Sequence, residues 1–322
     1  MKMVFIPPHS AIAQDWVARL QRRYPAVEFL TPNGDNETLS CLVEADAAFG
    51  TMNESMLGAA QSLRWLQAPF AAPPAGFYSD ELVAHPAVVT NFRGIYNDHI
   101  SYHILGLMMS FTKHFHLYRD QQRARKWQPL QGPGFNTIYL PEATVLIVGA
   151  GGIGVETARL CKAIGMRVIA VDDRRDEPGE WIDELHEAAA LDRLLPEADF
   201  VVATVPHTPS TEGMFDTSVF ERMKSSAIFI NIGRGMTTRL DDLNAALREA
   251  KIAGAGLDVF EIEPLPADHP LWDAPNTILT PHVAVKDAAH LDDRRYAIIE
   301  QNVERFLAED SLLNQVDKAQ WF

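Results

Sequence analysis

Cationic side chains are scarce in this chain: Lys and Arg number 28 against 43 Asp and Glu over 322 residues, a formal net charge of −15. The deficit argues against the extended basic face that nucleic acid requires, and equally against docking on anionic membranes. It leaves open a small anion drawn into a locally basic pocket. Cysteine is rarer still. Cys41 and Cys161 stand far apart, and nothing points to a disulfide framework or an oxidising compartment. Long hydrophobic runs are missing as well. The opening Met1-Lys2-Met3-Val4-Phe5-Ile6 is too short for a secretory signal and breaks at Pro7 and Pro8. No stretch nears the ~20 apolar residues of a membrane span. A cytoplasmic location is the expectation, and no short repeat or low-complexity tract interrupts the chain.

Hydrophobic residues at 47% against 22% charged mark a globular chain long enough to fill two cores. Short apolar runs over 3–6, 27–30, 47–50, 63–67 and 88–90 predict strands, with a helix over 11–22. One long helix is predicted from 98 to 127, apolar at Ile100, Ile104, Leu107, Met108 and Phe111, then basic at Arg119, Arg123, Arg125 and Lys126. After a Gly- and Pro-rich loop the alternation resumes, with strands over 144–148, 167–171, 200–204, 227–232, 255–259 and 277–280, and a last helix over 291–308. Continuous apolar strands alternating with helices mean parallel sheets covered on both faces. The expected fold class is therefore α/β: two Rossmann/flavodoxin-like doubly wound parallel-sheet domains with a cleft between them, a common place for a ligand. Residues 1–97, completed by 289–322, form the first domain, and residues 98–288 the second.

The clearest chemistry follows the strand 144–148. Gly149-Ala150-Gly151-Gly152-Ile153-Gly154 is a G-x-G-x-x-G turn running into a helical pattern. Gly149 permits the tight turn, Gly151 lets backbone approach a pyrophosphate, and Gly154 lets the helix pack on the strand. Gly152 and Ile153 supply further N–H groups at the helix start, where the dipole favours phosphate. Alone the motif is weak. Here the next strand ends in Asp172, placed to bind the adenosine ribose hydroxyls. A carboxylate there favours NAD. Arg174 and Arg175 follow two and three residues later, so NADP stays open, although a pair of solvated loop charges explains them as well.

Three later strands each deliver a charged group at their C-terminal ends, where open α/β sheets bind ligands. They are Arg234 between Gly233 and Gly235, an acid in Asp258-Val259-Phe260-Glu261-Ile262-Glu263-Pro264, and His282 after Pro281. Reduction of a 2-oxo acid needs those three types. Arginine grips a carboxylate with a planar fork. Histidine donates a proton as hydride reaches carbon 2. A glutamate beside the histidine keeps it protonated. Pattern alone does not separate Glu261 from Glu263.

Four segments together resemble the D-isomer-specific 2-hydroxyacid dehydrogenase family: 149–154, Asn231 to Gly235, Leu257 to Pro266, and Leu279 to Ala284. The nearest branch is similar to glyoxylate and hydroxypyruvate reductases, and the likeness runs from about Arg64. The resemblance implies catalytic Arg234, Glu263 and His282, and it selects Glu263 over Glu261. It implies that Asp258 holds the nicotinamide carboxamide and that Val205, Pro206 and Ile232 line the cofactor. It also implies that Phe70, Ala71 and Ala72 offer N–H groups to the substrate carboxylate, that 1–97 with 289–322 is the substrate domain, and that the chain forms a homodimer. Glu263 argues against the formate dehydrogenase branch, which carries glutamine there. Two departures stand out: Ala68 to Pro74 lacks the usual early glycine and adds two prolines, and Tyr102 replaces a common glutamate.

Other features weigh less. His99 and His103 share a helix face at metal-binding spacing, but no acidic or thiol partners accompany them and no metal is expected. His207 is a loop histidine near the expected cofactor. Two rival readings remain: a NAD(H)-sensing corepressor-like binding protein on the same fold, and a Rossmann methyltransferase. The Arg234, Glu263, His282 set disfavours the first, since a sensor has no need of a proton donor, and Asp258 with His282 disfavours the second.

Overall fold

Apolar runs without polar alternation bury both faces of a strand, and this computed structural model arranges them into two sheets whose strands are all parallel. The structure describes every residue except 72–75, 133, 134, 136 and 320–322. The chain divides into two units: Met1–Ile95 with Ala289–Phe322, and Tyr96–Ala288.

In the first unit the strands are β1 Lys2–Phe5, β2 Glu28–Leu30, β3 Ala47–Phe49, β4 Trp65–Gln67 and β5 Val88–Thr90, in the order β2-β1-β3-β4-β5. The helix Ala11–Arg23 starts where Ser10 Oγ accepts the Ala13 N–H at 3.1 Å. Buried polar groups at the β4–β5 end are all paired. Trp65 Nε1 donates to Thr90 Oγ1, which donates to Gln67 Oε1, both at 2.8 Å. Asn302 reaches the same Gln67 oxygen at 3.4 Å from the C-terminal helix Leu291–Leu307, tying that distant segment to the sheet.

The second unit holds β6 Thr144–Val148, β7 Arg167–Val171, β8 Glu184–His186, β9 Phe200–Ala203, β10 Ile228–Asn231, β11 Gly254–Leu257 and β12 Thr277–Leu279. Their order is β12-β11-β10-β9-β6-β7-β8. The chain moves outward from β6 to β8, then returns to the other side of β6 at β9. That reversal creates a switch point between the ends of β6 and β9, the usual ligand position in such sheets. One core beneath the sheet centres on Phe229, whose ring lies 4.9 Å from Phe215 and 5.4 Å from Phe220.

Two features depart from the sequence expectations. The predicted helix 98–127 is two helices, Asn97–Thr112 and Phe115–Arg123, because His114 takes a left-handed φ of 55°. The bend folds the chain back so that the His116 ring packs edge-on against Phe111 at 4.9 Å. Strand β8 was not expected: its sequence Glu-Leu-His carries no apolar run, and it survives as a half-buried edge strand beside β7.

In the first unit, the Tyr78 hydroxyl is buried without a hydrogen-bond partner among the described residues, and burial pushes its pKa up to about 12. An unfolded tyrosine ionises near ~10. Between those values the unfolded chain binds fewer protons than the native one, so stability falls as pH rises through the window. Tyr78→Phe is expected to remove that part of the alkaline loss and to add about 1 kcal/mol at neutral pH. Urea unfolding at neutral pH and again near pH ~11 checks both signs.

Candidate cofactor and acid–base site

The glycine loop occupies the switch point. Gly149 has φ of 100°, and a Cβ on it would lie 2.9 Å from Val205 Cγ1, at the end of β9. A Cβ on Gly154 would lie 2.1 Å from the Gly149 carbonyl oxygen, so any side chain there drives the helix Gly152–Ala163 off its strand. Space beside Gly151 is open. At the helix start the Val155 N–H donates to Gly151 O at 2.9 Å. The N–H groups of Gly151, Gly152, Ile153 and Gly154 have no partner among the described residues. Four unpaired amides at a helix start fit a pyrophosphate.

Asp172, just past β7, is bound into this loop: Oδ2 accepts the Ala150 N–H at 2.8 Å and Oδ1 the Arg174 N–H at 2.9 Å. The Arg175 guanidinium is engaged by its own turn, with Nε donating to Glu177 O at 2.8 Å. Ile232 is buried past the end of β10, and the Pro206 carbonyl accepts the Thr211 hydroxyl at 2.7 Å.

The turn after β10 is built around the buried Asn231. Its Oδ1 accepts the Gly233 N–H at 3.0 Å and its Nδ2 donates to Thr238 Oγ1 at 2.8 Å. A Cβ on Gly235 would lie 1.8 Å from Phe260 O, so only glycine allows the exits of β10 and β11 to meet. Between these glycines Arg234 is half-buried. Burial pushes its pKa down, and the nearby Glu263 charge opposes the shift. Glu263 Oε1 accepts the Phe260 N–H at 2.9 Å, which leaves Oε2 to take Nδ1–H of His282 at 2.8 Å. Glu261 instead accepts the Leu240 N–H at 3.2 Å. Geometry thus separates the two acids that pattern left open.

His282 itself adopts φ of 52°, which costs a residue with a Cβ about 1 kcal/mol. The next two residues hold it there. Asp258, 1% exposed, accepts the Val283 N–H on Oδ1 and the Ala284 N–H on Oδ2, both at 2.9 Å, and the Thr280 hydroxyl on Oδ1 at 2.6 Å. With its proton committed to Asp258, Thr280 accepts from His103 Nε2 at 3.0 Å. Sequence reasoning missed this pin, because its donors lie 22 to 26 positions from the carboxylate. Among the described residues no group of three His, Cys, Asp or Glu gathers as a metal site. Phe70 and Ala71 lie in the first unit past β4, where Phe70 meets Phe77 edge-on at 6.1 Å. Ala72 lies outside the described residues.

Comparison with known proteins adds a family. A family model described as D-isomer specific 2-hydroxyacid dehydrogenase, NAD binding domain, matches residues 105–284. Over 319 residues the chain is 30% identical to glyoxylate/hydroxypyruvate reductase B of Salmonella paratyphi A, covering 96% of this chain and 95% of that one. Its fold is similar to a solved D-isomer specific 2-hydroxyacid dehydrogenase family protein from Aeromonas salmonicida subsp. salmonicida A449, with TM-score 0.76 and 32% identity over 98% of this chain and 99% of that chain. A D-isomer specific 2-hydroxyacid dehydrogenase from Xanthobacter autotrophicus Py2, solved with NADPH and MES, matches with TM-score 0.82 and 26% identity over 100% of this chain and 99% of that chain.

Asp258→Asn keeps the shape but turns one accepting oxygen into a donor. The Val283 and Ala284 amides are then expected to exchange with solvent about tenfold faster, measured by hydrogen–deuterium exchange.

Proposed function

The chain belongs to the D-isomer specific 2-hydroxyacid dehydrogenase family, and from that premise we propose that it reduces short 2-oxo acids such as glyoxylate and hydroxypyruvate, acting reversibly as a NAD(P)-dependent D-2-hydroxyacid dehydrogenase. The observation that carries this reading is the His282–Glu263 pair at 2.8 Å with Arg234 beside it. Because Glu263 accepts Nδ1–H, Nε2 is the ring nitrogen left to give its proton to the oxygen on carbon 2. The half-buried Arg234 guanidinium, partly stripped of water, grips the substrate carboxylate. When bound, the reduced nicotinamide supplies the hydride that carbon 2 accepts. Asp258 keeps the His282 loop in place, and its Oδ2, with one partner among the described residues, is the oxygen left for the nicotinamide carboxamide.

The Gly151 to Gly154 amides hold the pyrophosphate, with Val205, Pro206 and Ile232 along the cofactor. Asp172 beside the loop, and an Arg175 already engaged by its own turn, support NAD over NADP. The unit containing Phe70 and Ala71 is proposed to bind substrate through backbone N–H groups. Exposed Tyr102, Phe115 and Trp127 on the segment 97–127 support a homodimer. The unpaired Cys41 and Cys161 support a reducing, cytoplasmic setting, and the acidic balance gives no support to a nucleic-acid or membrane partner.

Glyoxylate, hydroxypyruvate, pyruvate and phenylpyruvate, each offered with NADH and with NADPH, test the proposal. NADH is expected to be oxidised faster than NADPH, and most rapidly with the smaller acids. His282→Ala should lower kcat by about a thousandfold while NADH affinity holds. If neither cofactor is oxidised with any acid, the reductase reading is lost; NADH binding without turnover would then favour a sensing protein.

A further inference from the structure

Gly152 is a glycine that its own backbone does not demand. It opens the helix Gly152–Ala163 with φ outside the left-handed region, unlike Gly149. What excludes a side chain is a neighbour. A Cβ at Gly152 would lie 2.5 Å from Asn97 Nδ2 and 3.0 Å from its Cγ and Oδ1. The carboxamide of Asn97 thus occupies the place a side chain at 152 would take. Asn97 begins the helix Asn97–Thr112, and one turn further on Ser101 Oγ donates to Ile153 O at 3.1 Å and meets Thr157 Oγ1 at 2.9 Å. Those bonds fix the two helices against each other, and with them the height of Asn97 over the loop. Its carboxamide is half-buried and hydrogen-bonds to none of the described residues. A side-chain donor without a partner among the described residues thus stands beside a row of unpaired backbone N–H groups.

We propose that Asn97 is a cofactor-binding residue, donating an Nδ2–H to a pyrophosphate oxygen alongside the Gly152 and Ile153 amides. The inference rests on the dinucleotide reading above. Backbone supplies the rest of the cradle, and Asn97 adds the one side-chain donor proposed for the pyrophosphate. Its length sets where the phosphate settles, and Gly152 is the residue that makes room for it. A neutral amide suits a doubly anionic ligand because it presents nitrogen and turns its oxygen away. An isosteric carboxylate has only acceptors and a repelling charge.

Titration of NADH fluorescence with the full-length chain, together with thermal melting of the chain without nucleotide, tests this. Asn97→Ala should weaken NADH binding about tenfold and Asn97→Asp about a hundredfold, the cost of a lost and then a reversed charge-assisted bond. The unliganded Tm should hold in both, because aspartate in a helix's first turn is favourable. Gly152→Ala should lower the unliganded Tm in the parent chain and do so far less in Asn97→Ala, where the clash is gone. NADH affinity unchanged in both Asn97 variants would overturn the proposal. So would equal losses in the two variants with a lowered Tm, which make Asn97 a brace only. If the parent chain binds neither NADH nor NADPH, the cofactor reading itself fails, and this inference falls with it.

Discussion

Seven strands of the second sheet run the same way, so all of their carboxyl ends come out along one edge. That constraint gathers residues far apart in sequence: Gly149 after β6, Asp172 after β7, Val205 after β9, Arg234 after β10, Asp258 after β11 and His282 after β12. Antiparallel pairing would send alternate exits to the opposite edge and split the set. Parallel strands in turn need covered crossovers, which is why continuous apolar strands and amphipathic helices alternate through residues 144–280.

Within that edge, close approach decides the details. Gly154 against the Gly149 carbonyl and Gly235 against the Phe260 carbonyl leave no room for a methyl group. The first brings the helix start, with its unpaired amides, to the switch point. The second brings Arg234 beside the loop that carries Glu263. Electrostatics then finishes the arrangement. The buried Asp258 carboxylate is worth its desolvation only because three donors meet it, and two of those are the amides that follow His282. A residue with a left-handed φ is thereby held with its ring on Glu263.

Much of this was legible in the sequence. Strands β6 and β7 could be read to the residue, because their apolar runs are unbroken and bounded by glycine or charge. The acid at Asp172 followed from the spacing after the glycine loop. Other features were not legible for identifiable reasons. Strand β8 is polar at two of three positions and depends on its neighbour. The break at His114 has no proline or glycine to announce it. Glu261 and Glu263 share one loop and differ only in which way the turn aims them. For Asp258 the sequence suggested a ligand role, and it did not reveal the bonds to Thr280, Val283 and Ala284, a partnership that no local spacing encodes.

The central claim is that carbon 2 of a 2-oxo acid receives hydride from nicotinamide while His282 supplies the proton. Isotope transfer tests it most directly: glyoxylate or hydroxypyruvate reduced with NADH deuterated at nicotinamide C4, and the product read by NMR and mass spectrometry. The account predicts one deuterium on carbon 2, none on the hydroxyl after exchange in water, and none introduced from deuterated solvent at carbon 2. Product that carries solvent deuterium at carbon 2, or nicotinamide label that never reaches the acid, would contradict it.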